Sequence, residues 1–339
     1  MIGWLALTNE QRLVTIQQAA INSGISPNAI EKDWWVTLTL KALFVGSLRD
    51  VLIFKGGTSL SKGWGLINRF SEDIDLALDP KALGREYKAQ PTKGDVERLR
   101  REGCEFTSVN LKQALEQAFM EMGVPIGTLE IIPEKVEHNR PDKDPQRLYI
   151  KFQSLLPTVD YLKPEVQVEV SSRSFLEPNE QKPIGSILYQ YFPNEAYKED
   201  PLLVPVVVPR KTFLEKAFLL HEEFSKPEGG KIRVLRMSRH FYDMIKMHAA
   251  GITQEALADK ELYEALVTHR RYYSRISYMG DYTALSRASI SFIPPPDLVE
   301  SFKEDYQYMS ENMLYGERPE YDAVLLELQE LLNLFRQVL

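Results

Sequence analysis

The stretch Phe54-Lys-Gly-Gly-Thr-Ser-Leu-Ser-Lys-Gly-Trp-Gly-Leu-Ile-Asn-Arg-Phe-Ser-Glu-Asp-Ile-Asp-Leu-Ala-Leu78 constrains the fold more than any other part of the chain. An apolar run from Val51 to Phe54 predicts a strand, Gly56-Gly57 a turn, and the residues from Thr58 or Ser59 onward a short helix. Asn68 to Glu72 reads as a polar turn, and a second apolar strand then carries Asp73 and Asp75. Side chains at i and i+2 of a strand share a face, so the two carboxylates converge while Ile74 and the neighbouring leucines enter the core. Two adjacent carboxylates repel unless a cation joins them. Mg²⁺, with Mn²⁺ as the alternative, is a hard ion that takes one or two carboxylates together with substrate phosphates. Glycines without a Cβ at 56 and 57 let backbone N–H groups come close to such a phosphate.

Fifteen residues separate Gly57 from Asp73. This order of strand, Gly-Gly, helix and Asp-x-Asp strand resembles the nucleotidyltransferase signature of the DNA polymerase β superfamily. The wording Lys-Gly-Gly-Thr-Ser-Leu-Ser-Lys followed by Arg-Phe-Ser-Glu-Asp-Ile-Asp-Leu is similar to one branch, the AbiEii/AbiGii (MenA-like) toxin nucleotidyltransferases. Glu31-Lys-Asp-Trp-Trp-Val-Thr-Leu38, Lys41-Ala-Leu-Phe44, Arg210-Lys-Thr-Phe-Leu-Glu-Lys216 and Arg239-His-Phe-Tyr-Asp243 extend the likeness over roughly positions 30 to 250. The resemblance implies an α+β fold: a polymerase β-like core with a mixed sheet, and a mostly helical C-terminal domain. It places Gly56, Gly57, Thr58, Ser59, Ser71, Lys216 and Arg239 at the nucleotide, and makes Lys216 and Asp243 functional beside Asp73 and Asp75.

The 339 residues suffice for two domains, and 44% hydrophobic with 26% charged residues is ordinary for a globular chain. No apolar run is long enough to span a bilayer, and Met-Ile-Gly-Trp-Leu-Ala-Leu lacks the charged start of a signal peptide. The single cysteine, Cys104, suits a small core residue in a reducing compartment, so the expected location is cytoplasmic. A net charge of −7 argues against a general nucleic-acid coat but allows local basic faces. Candidates are Arg98-Leu-Arg-Arg101, the set Arg233, Arg236 and Arg239, and His269-Arg-Arg-Tyr-Tyr-Ser-Arg275, whose interleaved tyrosines suit unpaired bases.

Along the chain, residues 1–45 read as a helical segment packed on a core of residues 46–200, with a helical domain over 201–339. Ser26-Pro27 marks a helix start, because a proline in the first turn gives up no hydrogen bond. A helix is expected within Pro80 to Cys104 and another over Leu111 to Met122. Thr128 to Ile132, Leu148 to Leu155 and Glu165 to Ser171 read as strands. Val166-Gln-Val-Glu-Val170 alternates cleanly, which puts Gln167 and Glu169 opposite the valines. The family pattern makes Glu169 the third metal-site carboxylate, with Glu165 as second choice. A loop follows with Pro178, Pro183 and Pro193. Three prolines in Pro201-Leu-Leu-Val-Pro-Val-Val-Val-Pro209 argue against a central strand there. Breaks in the helical half are expected at Gly229-Gly230, Gly280 and Pro294-Pro-Pro296.

Lys216 falls on the turn between Phe213 and Leu220. Arg236, Arg239, His240 and Asp243 follow at helical spacing on one face, where Asp243 can orient Lys216 or Arg239. His221, His240 and His248 show no zinc-ligand spacing. The expected reaction is transfer of a nucleotide from an NTP to an acceptor with loss of pyrophosphate. The resemblance implies an RNA acceptor, the tRNA 3′ end, and a toxin neutralised by a cognate antitoxin. Three alternatives stay open: a small-molecule or protein acceptor, a glycosyltransferase built on the Asp-x-Asp, and an inactive binding partner.

Overall fold

The computed structural model describes residues 1–137, 142–157, 162–274 and 285–337. The chain divides into two compact units. One comprises Met1–Trp64, Phe70–Lys88 and Lys93–Val207; the other comprises Gly65–Arg69, Ala89–Thr92 and Val208–Leu339.

The first unit opens with two helices, α1 (Asn9–Ser23) and α2 (Pro27–Val45). Thr8 caps α1 in a reciprocal box with Gln11, which satisfies two backbone donors that the first turn leaves open, and Gly24 closes the helix at φ 72°. Ser26 caps α2, with Pro27 in its first turn as the sequence predicts. Apolar residues occupy every side of α2, and it is buried almost throughout. Trp34 lies 4.4 Å from Trp4 and 5.0 Å from Trp35, and Trp35 stacks on Phe152 at 4.7 Å. Ring pairs of this kind contribute about 0.5–1.5 kcal/mol each beyond their burial.

The sheet is built from β1 (Leu52–Lys55), β2 (Ile74–Leu78), β3 (Leu129–Pro133), β4 (Gln146–Phe152), β5 (Glu165–Ser171), β6 (Asn179–Ile184) and β7 (Leu202–Val207). Its order is β3-β4-β5-β2-β1-β7-β6. The pairs β1–β7 and β2–β5 are parallel and the rest antiparallel, so the sheet is mixed. Helix α3 (Gly56–Lys62) joins β1 to the segment before β2; α4 (Lys93–Phe106) and α5 (Lys112–Glu121) precede β3, with a π-helical turn at Thr107–Leu111 between them. Phe54, Ile74, Leu76, Leu148, Ile150, Val166, Val168 and Val170 are buried on one face. Asp75, Arg147, Tyr149, Gln167 and Glu169 alternate with them and are only partly covered.

Two strands depart from the sequence reading. Residues 202–207 form β7, between β1 and β6, although the prolines argue against a central strand there. The ladder to β1 is registered only at Phe54 and Val206, so the amide missing at Pro205 interrupts little of it. The expected loop around Pro183 is β6, whose position at the sheet edge tolerates a residue without an N–H. The helix expected within Pro80 to Cys104 begins only at Lys93, after a 3₁₀ turn over Pro80–Leu83.

The second unit holds α7 (Pro209–Phe224), α8 (Arg239–Ala249), α9 (Ile252–Ala258), α10 (Lys260–Tyr273), α11 (Val299–Met313) and α12 (Tyr321–Gln337); the one-turn helix α6 (Ile187–Tyr191) belongs to the first. Phe213 and Phe292 pack on Phe335 of α12, Phe218 on Tyr263, and Phe241 on Phe302. In the Arg-Tyr cluster that begins at His269, Arg271 is exposed and Tyr272 partly covered. His269 and Tyr273 are buried and stacked at 4.2 Å, and Arg270 is held by both carboxylate oxygens of Glu222. Arg275 and Gly280 lie outside the described residues. Among the described residues, no helix is long and apolar enough to cross a membrane.

Candidate active site

In the first unit the glycine pair and the aspartates meet through the β1–β2 hairpin. Helix α3 starts at Gly56, two residues earlier than the sequence reading places it, and Gly56 adopts φ 80°. A Cβ added there would lie 2.0 Å from Oδ2 of Asp75 and 2.7 Å from its Cγ. The position therefore needs glycine twice, for its left-handed backbone and for the room its hydrogen leaves to the carboxylate. Gly56→Ala is expected to displace Asp75 and lower Mn²⁺ affinity by about tenfold or more, since misplacement of about 1 Å is expensive in such sites. Gly65→Ala is the control, with a positive φ of 63° but open space around the added methyl; Mn²⁺ titration of both variants separates displacement from backbone strain.

Thr58 and Ser59 are buried and their hydroxyls turn inward. Thr58 Oγ1 donates within the unit, lying 2.9 Å from Ser71 Oγ and 2.5 Å from the Asp73 carbonyl; Ser59 Oγ donates to the Gly56 carbonyl at 2.9 Å. Thr58 and Ser71 thus fasten the segment leading into β2, and Ser59 closes the first turn of α3.

Register places Glu169 beside Asp75, because β2 and β5 run parallel with the two as Cα partners. Its Oε1 accepts from Arg147 Nε at 2.6 Å and from Gln167 Nε2 at 2.9 Å, so a guanidinium neutralises this carboxylate. Burial lowers the Arg147 pKa, but Glu169 and Glu134 outweigh it and the guanidinium is held more firmly protonated. Glu165 sits four residues back on the same face, paired in register with Lys151. Among the described residues, no group of three or more His, Cys, Asp or Glu is gathered as a metal-holding cluster. The donor set of Asp73, the residue before β2, and Asp75 within it does fit a hard cation, being two partly covered oxygen ligands two residues apart. Arg147 and Gln167 both engage Oε1 of Glu169.

The second unit holds a different cluster. Asp243 on α8 is fully buried and accepts from two cations: Arg69 Nε and Nη2, at 2.7 and 2.8 Å, and Lys216 Nζ on α7 at 2.9 Å. Burial alone would raise the Asp243 carboxyl, yet the charges and hydrogen bonds of Arg69 and Lys216 hold it well below the usual carboxylate range. Burial pushes Lys216 down, and Asp243 opposes that shift. Lys216 Nζ also lies 3.2 Å from His240 Nδ1. Burial, with Lys216 and Arg239 adding to it, keeps the His240 pKa well below that of a free imidazole, so at neutral pH its Nδ1 accepts from the ammonium.

The expected face of four residues at 236–243 is shorter in the structure. Arg236 precedes α8 with φ 62° and gives its backbone N–H to Asp305, whereas Arg239, His240 and Asp243 are helical. Arg239 raises the positive potential at both Lys216 and His240. Arg69 is the residue that sequence reasoning gave no role. It stands in the quoted Arg-Phe-Ser-Glu-Asp-Ile-Asp-Leu wording, but nothing in its spacing announces a partner 174 positions away.

Comparison with known proteins gives the family. The family model described as "Nucleotidyl transferase AbiEii toxin, Type IV TA system" matches residues 39–327. No curated protein matches the chain. Among solved structures, the nucleotidyltransferase toxin MenT4 from Mycobacterium tuberculosis H37Rv is similar at 18% identity over 97% of this chain and 99% of that one, with a TM-score of 0.41.

Proposed function

This chain belongs to the AbiEii family of nucleotidyltransferase toxins of type IV toxin–antitoxin systems, and on that footing we propose that it transfers NMP from an NTP to the 3′ end of tRNA. The observation that carries the reading is Asp75 lodged against Gly56, which joins a carboxylate to a phosphate-approach turn in one hairpin. The unit around it is a polymerase β-type core in this reading, and the protein works in the cytoplasm against a cognate antitoxin.

Asp73 and Asp75 would hold a divalent ion, Mg²⁺ or Mn²⁺, which when bound would supply charge neutralisation on the nucleotide phosphates. Gly56 and Gly57 let the backbone approach the triphosphate. The acceptor hydroxyl attacks the α-phosphorus in line, the bond from the α-phosphorus to its bridging oxygen breaks, pyrophosphate leaves, and the hydroxyl proton passes to solvent. Within the second unit, the family resemblance gives Lys216 a phosphate role, with Arg239 beside it in α8's first turn. A lysine held by Asp243 and His240 is preorganised, so little reorganisation accompanies the reaction. Asp243 acts as the holder of Lys216 and Arg69, with no contact to metal required.

Incubation of the protein with each α-³²P-labelled NTP, total tRNA and total cell protein tests the acceptor. Label is expected in tRNA and lost on removal of the 3′-terminal nucleotides. Label in protein or in small molecules would keep the chemistry and overturn the acceptor.

A further inference from the structure

Three consecutive charged residues of α2, Glu31, Lys32 and Asp33, are all buried, at 2%, 5% and 3% exposure. Apolar neighbours surround them, so each needs a partner to offset its lost hydration. Glu31 accepts from Ser154 Oγ at 2.6 Å and from the Leu155 amide at 2.8 Å, just beyond β4. Asp33 accepts from Lys62 Nζ at 2.6 Å, at the last residue of α3, and from the Ile187 amide at 2.7 Å, at the start of α6. Lys62 also donates to the Gly185 carbonyl at 3.1 Å. Lys32 donates to Glu72, which is itself buried at 6% and immediately precedes Asp73.

The glycine–aspartate segment is therefore tied to one helix at two points on either side of the loop. Asp33 fixes the exit of α3, and Lys32 fixes the residue before the first aspartate. Thr58 adds a third tie through the Asp73 carbonyl. Side chains alternate along this segment, so Glu72 points inward where Asp73 points to the polar face. Any rotation of the chain that released Glu72 from Lys32 would also swing Asp73.

We propose that Lys32 and Glu72 are positioning residues that set the orientation of Asp73 through a buried ion pair, acting on the metal-binding carboxylates without touching substrate. The inference rests on the assignment of Asp73 and Asp75 to the metal. Partners behind a metal ligand are commonly worth about 10–100-fold in affinity or activity. Loss of the Lys32–Glu72 pair is expected to fall in that range.

The test separates positioning from stability. Lys32→Met alone takes the ammonium away from a buried carboxylate and is expected to destabilise the protein. The double variant Lys32→Met/Glu72→Leu removes both charges with similar volume and is expected to recover the wild-type melting temperature. Mn²⁺ affinity, read by electron paramagnetic resonance titration, is expected to stay reduced about tenfold or more in that recovered protein. Wild-type Mn²⁺ affinity and kcat in the double variant would overturn the proposal and leave the pair a structural one. Should the double variant fail to fold, Glu72→Asp decides, because it keeps the pair but shortens the link by one methylene. A folded Glu72→Asp protein with lowered Mn²⁺ affinity supports positioning, and unchanged affinity overturns it. Wild-type protein that binds Mn²⁺ but transfers no nucleotide would defeat the proposed function while leaving this readout intact.

Discussion

Replacement of Asp243 by Asn is expected to cost about 3–5 kcal/mol of stability in the helical unit, the amount typical when one partner of a buried ion pair is removed. The reason is that two cations depend on one carboxylate. Arg69 and Lys216 are both nearly inaccessible, at side-chain exposures of 2% and 8%, and neither can turn to water. Asn matches Asp in size, so the loss measures charge and hydrogen bonding rather than a cavity. Its pH dependence has a definite sign. The carboxyl is depressed in the folded protein relative to the ordinary aspartate value of 3.8, so its contribution is complete above that value. It disappears only as pH falls through the lower folded value. Denaturant melts of wild type and Asp243→Asn are therefore expected to differ fully at pH 7 and to converge only in strong acid. Equal stability at pH 7 would show that Asp243 does not bear these two cations.

The same variant reaches function by a second route. Asp243 is the group that opposes the downward shift of Lys216, so its loss leaves the lysine easier to deprotonate at neutral pH. Arg69 loses its bidentate anchor at the same time, four residues upstream of Asp73 in the chain. Stability and activity should thus fall together at Asp243. At Asp73 and Asp75 they should separate.

How far the sequence carried this picture depends on what local pattern can encode. The β1–α3–β2 unit and β5 were legible because alternation and glycine placement are local signals. Val166 to Val170 alternates over its whole length, and its register with β2 then brings Glu169 to Asp75. β6 and β7 were hidden because proline argues against strands unless the strand is an edge, as β6 is, or is paired on one side for little of its length, as β7 is to β1. The start of α3 was misplaced by two residues because Gly56 enters the helix from a left-handed backbone that spacing does not reveal.

Within the site, charges at helical spacing pointed to Lys216 and Asp243 but not to what balanced them. Arg69 and Arg147 each meet their carboxylate through tertiary contact, across 174 and 22 positions of the chain. The pairings in the α2 charge run were hidden for the same reason. Three adjacent charges read as a solvated face unless their partners at Ser154, Glu72 and Lys62 are known. The Arg-Tyr cluster around His269 was attractive as a base-stacking surface because composition cannot tell a buried tyrosine from an exposed one.

The most direct test of the account is label transfer by Asp73→Asn and Asp75→Asn beside wild type, using an α-labelled NTP and total tRNA. Both substitutions preserve side-chain size on partly covered positions, so melting temperatures are expected to stay near wild type. Transfer is expected to fall by about a thousandfold or more, at or beyond the upper end of what a single electrostatic donor in an active site is worth. Growth arrest on expression should disappear with it. Folded Asp73→Asn and Asp75→Asn proteins that transferred label and arrested growth as wild type does would contradict the assignment of this hairpin as the catalytic centre.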